Sequence, residues 1–95
     1  MNRSLDGKKK NKISVSSIDM IYDAIKDRNT DVKIKKEGDT IEIESGPKML
    51  KISKDGGVKG SMPLHSFETL KAEEVMVKDD EIEIYFDRGN YVFKI

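Results

Sequence analysis

One pattern occurs twice in this chain, in the same order, and it leaves few folds open. Val32-x-Ile34, Ile41-x-Ile43 and Leu50-x-Ile52 alternate apolar with polar residues. Val75-x-Val77, Ile82-x-Ile84-x-Phe86 and Tyr91-x-Phe93-x-Ile95 do the same. Alternation sends successive side chains to opposite faces, so each run predicts a strand with one buried and one wet face. Turn-forming stretches separate the runs: Glu37-Gly38-Asp39 and Ser45-Gly46-Pro47 in the first copy, Asp79-Asp80 and Arg88-Gly89-Asn90 in the second. Glycine, proline, asparagine and aspartate break a ladder and supply the dihedrals of tight turns. The central strands even share the tripeptide Ile-Glu-Ile, at 41–43 and 82–84.

Each triplet follows a segment with helical spacing. Ile18, Ile21, Tyr22 and Ile25 fall at i, i+3, i+4 and i+7, one apolar stripe on a helix of about three turns. Ser16 and Ser17 offer N-caps, and Asp19 suits the positive end of the helix dipole. Asn29 and Thr30 mark the helix end. In the second copy Pro63 fits a first helical position, and Leu64, Phe67 and Leu70 supply a shorter stripe. Short strands are expected before each helix, at Ile13–Val15 and Val58–Met62. Lys33 and Lys35 are expected across from Glu42 and Glu44, where opposite charges help fix register. Ile21 and Ile25 on the helix, and Ile43 and Ile84 in the strands, are the expected core.

The chain therefore reads as a flexible basic tail, residues 1–11, and a single α+β domain, residues 12–95. Its halves run over about 12–54 and 57–95, joined at Lys54-Asp55-Gly56-Gly57. Each half is β-α-β-β-β, and the two helices pack on one face of antiparallel sheet. A duplicated unit of this kind resembles the domain of DNA sliding clamps. The resemblance implies a sliding-clamp-like fold and a link to nucleic acid. The helices, however, lack a basic channel face. Asp19, Asp23 and Asp27 offset Lys26 and Arg28 on the first, and the second offers His65, Glu68 and Lys71.

Composition narrows the chemistry. With no cysteine, disulfides, thiol catalysis and thiolate metal sites are excluded. His65 is the only histidine, and no spacing supplies it with a catalytic partner; it reads as a helix surface residue. Asp79, Asp80, Glu81 and Glu83 match no calcium-loop pattern and read as a charged hairpin. Gly56-Gly57-Val58-Lys59-Gly60 lacks the register of a phosphate loop and reads as the joint between halves. No catalytic, cofactor or metal residues are expected. No apolar run is long enough for a membrane span, and no signal-peptide core is visible, so a cytoplasmic location is expected.

Charge is zero overall but unevenly placed. Residues 1–60 hold fourteen Lys or Arg and ten Asp or Glu, whereas residues 61–95 hold four and eight. The favoured reading is a non-enzymatic protein-interaction or assembly module. Its partner is a protein or a second copy, with contact through Tyr91, Val92 and Phe93 on the last strand, whose edge nothing covers, and through Tyr85 on the strand before it. The competing reading is a nucleic-acid accessory protein. It binds phosphate weakly through Lys8, Lys9, Lys10 and Lys12, backed by Lys33, Lys35, Lys36, Lys48, Lys51 and Lys54.

Overall fold

The computed structural model describes residues 12–28 and 31–95. The basic tail, with Lys8, Lys9 and Lys10, lies outside the described residues, as do Asn29 and Thr30. The elements run β1 (Lys12–Ser14), α1 (Ile18–Arg28), β2 (Lys33–Glu37), β3 (Thr40–Ser45), β4 (Lys48–Ser53), β5 (Val58–Met62), β6 (His65–Thr69), β7 (Ala72–Val77), β8 (Glu81–Phe86) and β9 (Gly89–Lys94). They build two antiparallel sheets, one of order β1-β7-β8-β9 and one of order β2-β3-β4-β5-β6.

The single helix among the described residues forms where the apolar stripe predicts it. The Ser17 carbonyl accepts from the amides of Met20 and Ile21, which makes Ser17 the cap. Asp19 lies in the first turn, Lys26 and Arg28 in the last, so both ends suit the dipole. Ile18, Ile21 and Ile25 are buried. The helix packs on β2 and β3 of the larger sheet and on β1 and β7 of the smaller one. It thus fills the side on which the two sheets part.

The second expected helix does not exist. Residues 58–69 are a hairpin, in which Met62 pairs with His65 across a Pro63-Leu64 turn and Val58 pairs with Thr69. Pro63 serves the turn, where its fixed φ suits the second of four residues, instead of a helix start. His65 begins a strand. Leu64 and Leu70 are 95% and 76% exposed, and only Phe67 of the expected stripe turns inward. Strands make up 58% of the structure and helix 14%, so the two-helix, clamp-like α+β architecture is overturned.

The two repeated segments are both three-stranded meanders, β2-β3-β4 and β7-β8-β9. They do not extend to repeated β-α-β-β-β units. The second half is strands throughout, and β1 leaves its own half to pair with β7, Ile13 opposite Val75. Register follows the charges: Lys33 opposes Glu44 and Lys35 opposes Glu42.

The inward faces meet in one core. Ile21, Ile25, Ile41, Ile43, Leu50, Ile52, Val75, Ile82, Ile84 and Phe93 are fully buried. Burying one such side chain contributes roughly 1.5–3 kcal/mol against leaving it exposed. Opposite the helix, aromatic rings close the sheets. Phe67 stacks on Tyr91 with centroids 4.1 Å apart and 7° between planes, and Phe86 lies 5.7 Å from Phe67. Gly60 lies under this stack, where a Cβ would come within 3.3 Å of the Tyr91 hydroxyl.

Candidate functional site

The outer face of the smaller sheet carries a network of paired charges. Glu81, Glu83 and Tyr85 are alternate positions of β8, so the pleat presents them together, and Lys94 on β9, Lys12 on β1 and Lys78 just past β7 reach them from either side. The Tyr85 hydroxyl donates to Glu83 Oε1 at 2.5 Å. Lys78 Nζ lies 3.4 Å from both Glu81 and Glu83, and Lys94 Nζ lies 3.3 Å from Glu81. Lys12 Nζ sits 4.2 Å above the Tyr85 ring. Lys12, expected as a phosphate contact, is therefore engaged by an aromatic face.

These contacts move two titrations in opposite directions. The bond from Tyr85, helped by Lys78, holds the Glu83 carboxyl below its usual range despite partial desolvation. The same bond to a carboxylate, with desolvation second, pushes the Tyr85 phenol from 10 up to about 12. The raised value means that the neutral phenol is the form the fold stabilises. That contribution is whole below pH 10 and is lost as pH rises toward about 12. Alkaline ultraviolet titration is expected to show a tyrosinate step near pH 12 that disappears in Tyr85→Phe. A Tyr85 step near pH 10 would refute the bond.

The outer face of the larger sheet mixes both signs of charge, with one like-charged pair, Lys51 opposite Lys59. One lateral row runs Lys35, Glu42, Lys51, Lys59, Glu68, each opposite the next on the neighbouring strand. Asp19 on α1 pairs with Lys36 and holds its ammonium above the ordinary value. Lys36, Lys54, Ser16 and Ser17 do line a groove at the start of α1. The Asp19 carboxylate already occupies the lysine there, so an incoming phosphate would have to displace it. Lys48 Nζ donates to the carbonyl of Lys94. Of the lysines expected to form a basic surface, Lys36 is thus tied to a carboxylate and Lys48 to backbone, while Lys33 and Lys35 stand opposite Glu44 and Glu42 in the ladder. Among the described residues, no group of three or more His, Asp or Glu side chains is placed to hold a metal.

The sheet edges remain. The amide of Ser53 bonds the carbonyl of Gly57, which sets the phase of the β4–β5 ladder. It follows that Val58, Gly60 and Met62 bond β6, through Thr69, Phe67 and His65. Ser66 and Glu68 therefore point their N–H and C=O groups away from the sheet. By the same argument the bond from Ile95 to Asp80 turns the backbone of Asn90, Val92 and Lys94 outward from β9.

Of the expected contact residues, only Val92 faces outward along the β9 edge. Tyr91 points into the aromatic stack, Phe93 is wholly buried, and Tyr85 sits in the charged network.

Comparison with protein-family models, with curated proteins and with solved structures finds no match in any of the three.

The four edges are not equally guarded. β1 is three residues long. β2 is Lys-Ile-Lys-Lys-Glu, and edge lysines oppose strand addition. On β9 the Lys48 ammonium covers the last outward carbonyl. β6 has neither device. Its outward residues, Ser66 and Glu68, are exposed, and the exposed Leu64 and Leu70 flank them. Sequence reasoning missed this edge because Leu64, Phe67 and Leu70 fit a helical stripe. The polar-apolar-polar order of Ser66, Phe67 and Glu68 was the available signal for a strand. No helix among the described residues is long and apolar enough to cross a membrane.

Proposed function

We propose that this chain is a non-enzymatic assembly module that associates with copies of itself by pairing strands at an open sheet edge. The observation that carries the reading is the β6 edge, an outward row of backbone donors and acceptors with an exposed leucine at either end. An unpaired edge is a template for another strand, and exposed apolar side chains beside it gain by being covered. β9 is the second candidate, because Asn90 and Val92 also present outward backbone groups.

The phosphate-binding alternative rests on Lys8, Lys9 and Lys10, outside the described residues. Residues 12–95 hold fourteen Lys or Arg and seventeen Asp or Glu, a balance of −3. Such a balance does not attract a polyanion on average.

The test is sedimentation across micromolar to millimolar concentrations, with Glu68→Pro and Val92→Pro as probes. Both positions turn their N–H outward, so proline removes an edge donor without removing an internal ladder bond. Reversible association is expected, abolished by at least one of the two prolines while the thermal midpoint stays near that of the parent. A parent that remains monomeric throughout, or association indifferent to both prolines, would overturn the reading.

A further inference from the structure

Resting on that edge-pairing reading, we infer that the partner is a second copy docked on β6 about a two-fold axis through Phe67. The residues along this edge are complementary to themselves in one antiparallel register. Outward-pointing residues must pair with outward-pointing residues for the backbone bonds to form. Centring the axis on Phe67 places Ser66 of one copy opposite Glu68 of the other, and the reverse. It also brings Leu64 of each copy toward Leu70 of the other at both ends of the contact. A hydroxyl then faces a carboxylate twice, and four exposed leucines are covered in two pairs.

Other registers lose this match. A shift by two residues sets Ser66 against Ser66 or Glu68 against Glu68, and leaves leucines against polar groups or solvent. Like charges directly opposed on neighbouring strands are unfavourable. The Phe67 register alone sets Ser66 against Glu68 at both outward positions of β6 and brings the exposed leucines that flank the strand near one another. Such a contact is isologous and closes at two copies, so it yields a dimer and not a filament. The two five-stranded sheets then become one continuous sheet, and the edge most open to further addition disappears. The core is untouched, because Phe67 points inward to Tyr91 and all four contacting side chains lie outside it.

Charge variants at Ser66 test the register, with dimer dissociation constants read by analytical ultracentrifugation. Ser66→Lys sets a lysine against Glu68 of the second copy twice and is expected to tighten the dimer by roughly three- to tenfold. Ser66→Glu sets carboxylate against carboxylate twice and is expected to loosen it by a similar factor, with the loss reduced at high salt. The double variant Leu64→Ser, Leu70→Ser is expected to weaken the dimer at least about tenfold. All three side chains are exposed, so the fold is retained, and the far-ultraviolet circular dichroism checks that. Lysine and glutamate acting alike at Ser66 would overturn the register. A dimer indifferent to every β6 variant but abolished by Val92→Pro would overturn this inference and leave the edge-pairing reading standing. A chain that is monomeric at millimolar concentration would overturn both.

Discussion

Phe93→Ala is expected to lower the free energy of unfolding by about 3–5 kcal/mol. Phe93 is wholly buried in β9, directly opposite Ile82, and belongs to the cluster shared by both sheets and the helix. Removing its ring loses the transfer free energy of the ring and leaves a cavity. Close-packed neighbours held in ladders on both sides can refill only part of that space. The substitution also removes the ring over which Lys48 Nζ sits, 5.9 Å from the centroid, beside its bond to the Lys94 carbonyl. A domain of this size has in total roughly 5–15 kcal/mol to lose. The variant should therefore unfold at much lower denaturant concentration in an equilibrium titration. A loss below about 1 kcal/mol would show that β9 does not seal the core as described.

The second large effect lies at a glycine. Gly56→Ala is expected to cost roughly 1–3 kcal/mol from its backbone conformation alone. Its φ is +103°, outside the region that side chains tolerate. A Cβ there would also meet two backbone carbonyls, Ala72 at 3.1 Å and Leu70 at 3.2 Å. The glycine itself is held close to them. The Gly56 carbonyl accepts from the Ala72 amide at 2.9 Å, and the Gly56 amide donates to Ser53 at 3.0 Å. The β4–β5 turn is thus pinned against the crossing from β6 to β7, the point at which the chain passes from one sheet to the other. Gly57→Ala is the control, because its Cβ would meet nothing nearer than the Asp55 carboxylate at 3.4 Å. Equal losses at the two glycines, read from thermal or denaturant midpoints, would refute the pinned crossing.

The elements that were legible in the sequence are those whose signal is local and long. Helix α1 needed only its stripe and its serine cap. The meanders β2-β3-β4 and β7-β8-β9 needed only alternation and turns of two or three residues. The Lys33–Glu44 and Lys35–Glu42 register followed, because a tight turn and a buried face leave one way to align two strands. Glycine at 56 and 57 was legible as a break between strands, but it is the tight β4–β5 turn within one sheet, and the chain passes between sheets later, from β6 to β7.

The segment 63–71 was not legible, and the reason is specific. Leu64, Phe67 and Leu70 recur every three residues, which satisfies a helical stripe. Phe67 between Ser66 and Glu68 equally satisfies a strand. Over so few residues the two periods cannot be separated. Pairing with β5 decided the matter, since a strand there satisfies the backbone of Val58, Gly60 and Met62, and its Phe67 ring fills the space above Gly60 beside Tyr91. That decision also turned two expected core leucines into the flanks of an open edge, which is where the functional proposal now rests.

Spacing along the chain was enough for helix α1, the two three-stranded meanders, the β2–β3 register and most of the buried isoleucines, because it sets which side chains share a face. Which sheet each strand joins, the pairing of β1 with β7, and the edge formed by residues 65–69 were settled by long-range packing. Those choices depend on partners more than fifty residues away for β1 and on the packing of one sheet against the other, and no local period records either.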